Sequence, residues 1–123
     1  MQNYIGNHKE CHLNSDCEKF ETCPMILVQD MISGKWKKLI LWYLSYQTLR
    51  FSDLQKRMPN VSQKVLSRQL KSLEEDALID KKIYPVVPPK VEYSLTPLGE
   101  KVIPILEAMH TFGSHYLRDH FNH

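Results

Sequence analysis

Residues 61–79 read VSQKVLSRQLKSLEEDALI, and the fold turns on how this stretch divides its residues between two faces. Ser62 is a good N-cap. Leu66, Leu70 and Leu73 recur at the four- and three-residue steps that put side chains on one side of a helix. The opposite side carries Gln63, Lys64, Ser67, Arg68 and Lys71. Acids begin only with Glu74, Glu75 and Asp76, where the helix should end. The expectation is a helix of about three turns, anchored by leucines, with long hydrogen-bond donors and no negative charge along its outer face.

Upstream, PNVS at 59–62 is a turn. FSDLQKRM at 51–58 opens with Ser52 and Gln55 in capping-box spacing and places Leu54 and Met58 on one side, a short helix. Before it, Trp36, Leu39, Ile40, Tyr43 and Leu44 predict an amphipathic helix. Pro24, suited to a first helical position, precedes Leu27, Val28 and Met31, and Gly34 offers a stop. Downstream the period falls to two. KIYPVV is followed by PP and then KVEYSLT, in which Val91, Tyr93 and Leu95 alternate with Lys90, Glu92 and Ser94. This is a hairpin with a proline-rich loop, and Pro85 confines its first strand to an edge-like role. Thr96 and Pro97 then open a C-terminal helix that Pro104 should kink or divide. Its apolar residues at 102, 105, 106, 109, 112 and 116 exceed what one small core can cover, so part of this face should meet a second copy of the chain. Two helices across a short turn with a hairpin directly after them make a winged helix-turn-helix, mainly α with a small β-hairpin wing.

At 123 residues, 42% hydrophobic and 24% charged, the chain has the size and composition of one globular domain. Residues 1–22 are polar and without periodicity, an expected flexible arm; residues 23–123 form the expected DNA-binding domain with its C-terminal dimerisation helix. No apolar run approaches the roughly 20 residues that span a bilayer, and MQNYIGNHKE lacks a signal-peptide core, so a cytoplasmic protein without membrane contact is expected. The net charge of +2 hides an asymmetry: Lys/Arg against Asp/Glu is two to five over residues 1–34, nine to one over 35–71 and five to eight over 72–123. A basic block of that purity, set on a helix-turn-helix, points to double-stranded DNA.

CP with SGKWKKLILWYL, FSDLQKRMP, VSQKVLSRQLKSLEEDALI and YPVVPPKVEYSLTPLGEKVIPIL resemble the HxlR-type winged-helix transcriptional regulators of bacteria, over about residues 23–113 in one register. The resemblance implies a homodimeric repressor or activator that binds a pseudo-palindromic operator and dimerises through its N- and C-terminal helices. Carried over by position, Ser62, Gln63, Lys64, Ser67 and Arg68 sit where the family's helix enters the major groove, and Lys81, Lys82 and Lys90 flank its wing. Arg50, Ser52 and Lys71 complete the expected DNA-contacting set. Two departures stand out. Ser33-Gly34 replaces the usual Gly-Gly before KW, and Ala77 stands where the family has the glycine of E-E-D-G, at a cost of about 1 kcal/mol if its backbone is left-handed.

Cys11, Cys17 and Cys23 lie at equal six-residue steps. In a reducing compartment a structural disulfide framework is disfavoured. The spacing does not converge as zinc pairs do, and His8 and His12 are weak substitutes, so no metal or other cofactor is expected; a metal-responsive arm is the lesser alternative. Cys23 directly precedes Pro24, at a helix N-terminus, where amides and dipole favour a thiolate, with Glu18 and Glu21 opposing. The resemblance adds that family members sensing quinones, aldehydes or oxidants do so through a cysteine at this position. The expectation is a redox- or electrophile-sensing Cys23 with Cys11 or Cys17 as resolving partners; a regulator controlled by a ligand or partner instead is the alternative. No His, Asp or Asn is marked as an activating partner, so an enzyme is not expected. Trp36 is expected in the core and Trp42 at the dimer interface, while His110, His115, His120 and His123 read as surface residues.

Overall fold

The structure, a computed structural model, describes residues 23–121. The chain divides into two compact units, the first ending at Gly34 and the second beginning at Lys35. In the first, α1 (Pro24–Met31) has Pro24 in its opening turn, where a missing N–H leaves no bond unmade. Cys23 is its N-cap, with extended backbone. After α1 ends, Gly34 takes φ 91°, the left-handed conformation a glycine adopts without strain.

In the second unit α2 (Lys37–Leu44) begins later than its apolar pattern suggests, with Trp36 as N-cap rather than as part of the helix. Ile40, Leu41 and Leu44 are its buried apolar residues, and Leu39 is 40% exposed. Leu39 and Leu41 are two positions apart and cannot share a helix face, and the core takes Leu41. A two-residue strand, β1 (Leu49–Arg50), precedes α3 (Phe51–Arg57). Ser52 therefore lies inside α3 rather than capping it. The cap is Arg50, whose N–H donates to Asp53 Oδ2 at 3.2 Å. Gln55, expected to serve that cap, instead donates from Nε2 to the carbonyls of Val61 (2.6 Å) and Met58 (3.4 Å) and holds the turn before the next helix closed.

That helix, α4 (Gln63–Glu75), runs as expected. Ser62 Oγ accepts the N–H of Val65 at 3.1 Å, and Leu66, Leu70 and Leu73 are buried. It ends in a Schellman motif: the Ala77 N–H donates to Glu74 O and the Leu78 N–H to Leu73 O, both at 3.0 Å, with Leu73 and Leu78 fully buried. Ala77 sits at φ 61° to make this possible.

β2 (Ile79–Tyr84) and β3 (Lys90–Leu95) form the hairpin, in antiparallel register from Ile79 opposite Leu95 to Tyr84 opposite Lys90. β1 pairs with the other side of β3, so the order is β1-β3-β2 and β2 is an edge strand; it starts earlier than KIYPVV suggests and ends at Tyr84, so Pro85 lies in the loop instead of the strand. A short α5 (Pro97–Glu100) precedes α6 (Ile103–His120), and Pro104 lies in the first turn of α6, dividing the C-terminal helix. Thr96 joins these parts. Its N–H donates to Leu78 O at 3.1 Å, its hydroxyl donates to Ala77 O at 2.6 Å and accepts from the Gly99 N–H at 2.9 Å. Gly99 is pressed so closely on Leu78 that a Cβ there would lie 2.0 Å from the Leu78 carbonyl oxygen.

Two substitutions at this joint should act in opposite directions. Ala77→Gly relieves the left-handed strain and should stabilise the protein by about 0.5 kcal/mol, after the greater freedom glycine gives the unfolded chain. Gly99→Ala drives a methyl into a backbone carbonyl and should destabilise by about 3 kcal/mol. Urea denaturation of the two variants beside the parent checks both.

Candidate nucleic-acid interface

Gln63, Lys64, Ser67, Arg68 and Lys71 are all exposed on α4, on the side away from its leucines. Ser62 is exposed too, but its oxygen is engaged in the cap. Among the described residues, Lys64, Arg68 and Lys71 enter no ion pair. The first acids, Glu74, Glu75 and Asp76, lie at the far end and point to solvent. The outer surface of α4 is thus a run of donors without an internal acceptor to neutralise it.

Sheet register settles the wing. Successive strand residues face opposite sides, so Lys81, opposite Tyr93, shares a face with buried Ile79, whereas Lys82, opposite Glu92, shares the other face with Arg50 and Lys90. The two neighbouring lysines therefore point apart. From Lys81 onward the hairpin outruns the core, and Ile83, on the core-side face, is 61% exposed. That free-standing end is what makes it a wing.

The outer face holds a compact charged cluster. Arg50, Glu92 and Lys82 lie in one row across the three strands. Lys90 Nζ is 3.3 Å from Glu92 Oε2, and the Tyr84 hydroxyl donates to Glu92 Oε1 at 3.0 Å. The Tyr84 ring has the ammonium of Lys82 at 5.0 Å and that of Lys90 at 4.8 Å from its centroid. The Tyr84 hydroxyl, then the Lys90 ammonium, with Arg50 adding less, hold the Glu92 carboxyl below its ordinary 4.5, against the opposing effect of partial burial. Glu92 and Tyr84 were not legible as site residues in the sequence. Alternation puts Lys90 and Glu92 on one face, but only the register brings Tyr84, Lys82 and Arg50 beside them.

Of the remaining sequence expectations, Ser52 is exposed near the head of α3. Cys23 is 1% exposed. Cys11, Cys17, His8, His12 and His123 lie outside the described residues. Among the described residues no group of His, Cys, Asp and Glu is placed to hold a metal ion, and no helix is long and apolar enough to cross a membrane. His110 and His120 are exposed, yet each lies flat on an aromatic ring, His110 on Trp42 at 5.5 Å and His120 on Tyr116 at 4.2 Å.

A leucine-anchored helix with a bare basic face, entered through a tight turn and followed by a protruding charged hairpin, defines a winged helix-turn-helix protein of the DNA-binding type. The HxlR-like helix-turn-helix family matches residues 31–121, and the chain belongs to that family. It is a transcriptional regulator of the helix-turn-helix type. It is 45% identical over 94 residues to an uncharacterized HTH-type transcriptional regulator of Methanothermobacter thermautotrophicus, covering 76% of this chain and 72% of the relative. With the uncharacterized HTH-type regulator YdeP of Bacillus subtilis it shares 37% identity over 109 residues, 89% of this chain and 85% of YdeP. Among solved structures, the redox regulator HypR in its reduced form is 36% identical with a TM-score of 0.74, covering 78% of this chain and 94% of that one. The reduced form of YodB from B. subtilis is 28% identical with a TM-score of 0.66, over 80% and 93%.

The sign of the Glu92 effect gives a pH dependence. A carboxyl depressed in the folded state contributes stability that is fully present above its unfolded value, near 4.5, and is lost as pH falls through the lower folded value. Glu92→Gln should therefore be less stable than the parent at neutral pH, with the gap closing as pH falls below 4.5. Thermal melts over an acid pH series check this; a gap constant with pH would contradict it.

Proposed function

We propose that the chain binds a pseudo-palindromic operator as a homodimer, with α4 of each copy in the major groove and the wing on the flanking backbone, and that modification of Cys23 changes its affinity. The observation that carries the DNA reading is the outer face of α4: Lys64, Arg68 and Lys71 exposed together, free of any acid until the helix ends. Gln63, Ser67 and Arg68 supply base-edge donors, Ser62, Lys64 and Lys71 phosphate contacts, and Arg50, Ser52, Lys81, Lys82 and Lys90 the contacts of the α3 head and the wing.

The dimer is supported by α6. Leu106 is its buried residue, while Ile105, Met109, Phe112, Tyr116, Leu117 and Phe121 are each at least 42% exposed. An apolar surface of that extent on one helix suits a second copy of the same chain. Trp42, half-buried beside α6, joins this surface.

Thiol control is supported by the likeness to HypR, a redox regulator solved in reduced and oxidized forms, and to YodB, solved reduced and after diamide treatment. Cys23 is buried, so a reagent reaches it through local opening. α1, eight residues long with none of them buried, is an element that opens at low cost. An adduct on the sulfur, or a disulfide to Cys11 or Cys17, then prevents Cys23 from returning to its buried place, and the shift of α1 alters the spacing of the two recognition helices.

Lys64→Glu with Arg68→Glu should weaken binding to DNA from upstream of the gene by about 100-fold or more, and the parent should show a steep salt dependence. Cys23→Ser should bind that DNA like the parent yet ignore diamide in a gel shift; a Cys23→Ser variant that still responds would remove Cys23 from the sensing role.

A further inference from the structure

Lys90 is the wing cation already in use. Both carboxylate oxygens of Glu92 are occupied, Oε2 by the Lys90 ammonium at 3.3 Å and Oε1 by the Tyr84 hydroxyl at 3.0 Å. Tyr84 thus fixes the carboxylate from one side while its ring lies under the Lys90 ammonium, 4.8 Å away. Across the strands Glu92 faces Arg50 on β1 and Lys82 on β2, both exposed, so one anion sits at the centre of three cations. The contrast with α4 is sharp. There Lys64, Arg68 and Lys71 have no acid among the described residues to hold them, whereas on the wing Glu92 is built into the cationic face with two defined contacts. Asp80, opposite Ser94, shares that face beside Lys82 but enters no ion pair among the described residues. A carboxylate there repels phosphate and competes with it for Lys90. On a surface meant only to attract DNA it is a cost.

We infer that Glu92 is a specificity-determining residue of the wing: by holding Lys90 in an ion pair it withholds one cation from phosphates met at random and keeps nonspecific DNA binding weak. This rests on the DNA-binding reading above. The pair is partly exposed, with 33% of the Lys90 and 23% of the Glu92 side chain accessible, and ion pairs in such settings are weak enough to exchange. When α4 is seated on its site, the wing is pressed on the backbone long enough for a phosphate to replace the carboxylate. A passing encounter has no such hold, and Lys90 stays with Glu92. Nonspecific affinity is set by the number of phosphates neutralised, so one withheld cation shows directly in its salt dependence. Glu92 remains ionised at neutral pH, held below its ordinary value by Tyr84 and Lys90, so the restraint is always set.

The test uses a random-sequence duplex of about 30 base pairs as probe, with binding followed by fluorescence anisotropy between about 50 and 200 mM KCl. Glu92→Gln removes the charge while its amide oxygen still accepts from Tyr84. It should bind the random duplex about threefold or more tightly at the lowest salt, with a log–log salt slope steeper by about 0.9, the signature of one more phosphate contact. In a Lys90→Gln background the same change should leave the salt slope unaltered and give a clearly smaller gain, because the cation to be released is gone and only the field on Arg50 and Lys82 changes. Unchanged or weaker binding by Glu92→Gln at the parent slope overturns the inference, and so does an equal gain in the Lys90→Gln background, which would mean a general field effect. The Lys64→Glu/Arg68→Glu variant in the same titration separates the two levels. If the parent binds and this variant does not, the DNA reading stands whatever Glu92 does; if the parent itself ignores the duplex at low salt, both readings fall.

Discussion

The basic helix α4, the wing and the start of the C-terminal helix meet at one backbone carbonyl, that of Leu78. It accepts the Thr96 N–H at 3.1 Å, and Gly99 lies against it with no room for a side chain. Leu78 is also the residue whose N–H closes the Schellman end of α4 on Leu73. One residue therefore closes the end of α4, leads into the outgoing wing strand β2 beside its return strand β3, and seats the first turn of the C-terminal helix. The local strain at Ala77 is tolerated because this joint over-determines it: the Ala77 N–H, its carbonyl and the residue after it are all bonded. Helix direction and wing direction cannot drift apart while these bonds hold.

From that joint outward, the protein treats its cations in two ways. Those of α4 have no ion-pair partner among the described residues and lie on a face cleared of acids, so their field is turned outward. Lys82 and Lys90 of the wing are gathered round Glu92 and Tyr84, and their field is partly spent inside the cluster. The same formal charge thus has different reach in the two elements, a difference invisible to net charge and to a count of lysines along the chain.

Much of this was legible in the sequence, and the reasons are physical. α4 was readable end to end because its leucine spacing, Ser62 cap and acidic exit agree with one another, and each is a local feature of a thirteen-residue helix. The hairpin was readable from its alternation, and the division of the C-terminal helix from Pro104, since a proline fits the first turn of a helix and no later one. What failed was short or non-local. β1 has two residues and exists only because β3 lies beside it. The cap of α3 moved from Ser52 to Arg50 because Arg50 is already extended in that strand, leaving Asp53 rather than Gln55 to receive its N–H. Gln55 was then free to bridge the turn. The inner stripe of α2 was misphased because Leu39 and Leu41 are equally apolar and only the packing of a third element chooses between them. The Glu92 cluster needed three strands in known register.

The opposed directions of Lys81 and Lys82 set a rule for how this hairpin can change length. Residues added or lost between Tyr84 and Lys90 leave both strands in phase, so the outer face keeps its cations and the inner face its apolar residues. A single residue inserted within β2 beyond Ile79 would exchange the faces of everything that follows, carrying Lys81 to the side of Glu92 and Ile83 to where Tyr84 stands. The loop is thus free to vary in reach as the chain diverges, while the strands are held to a parity that admits change only by twos.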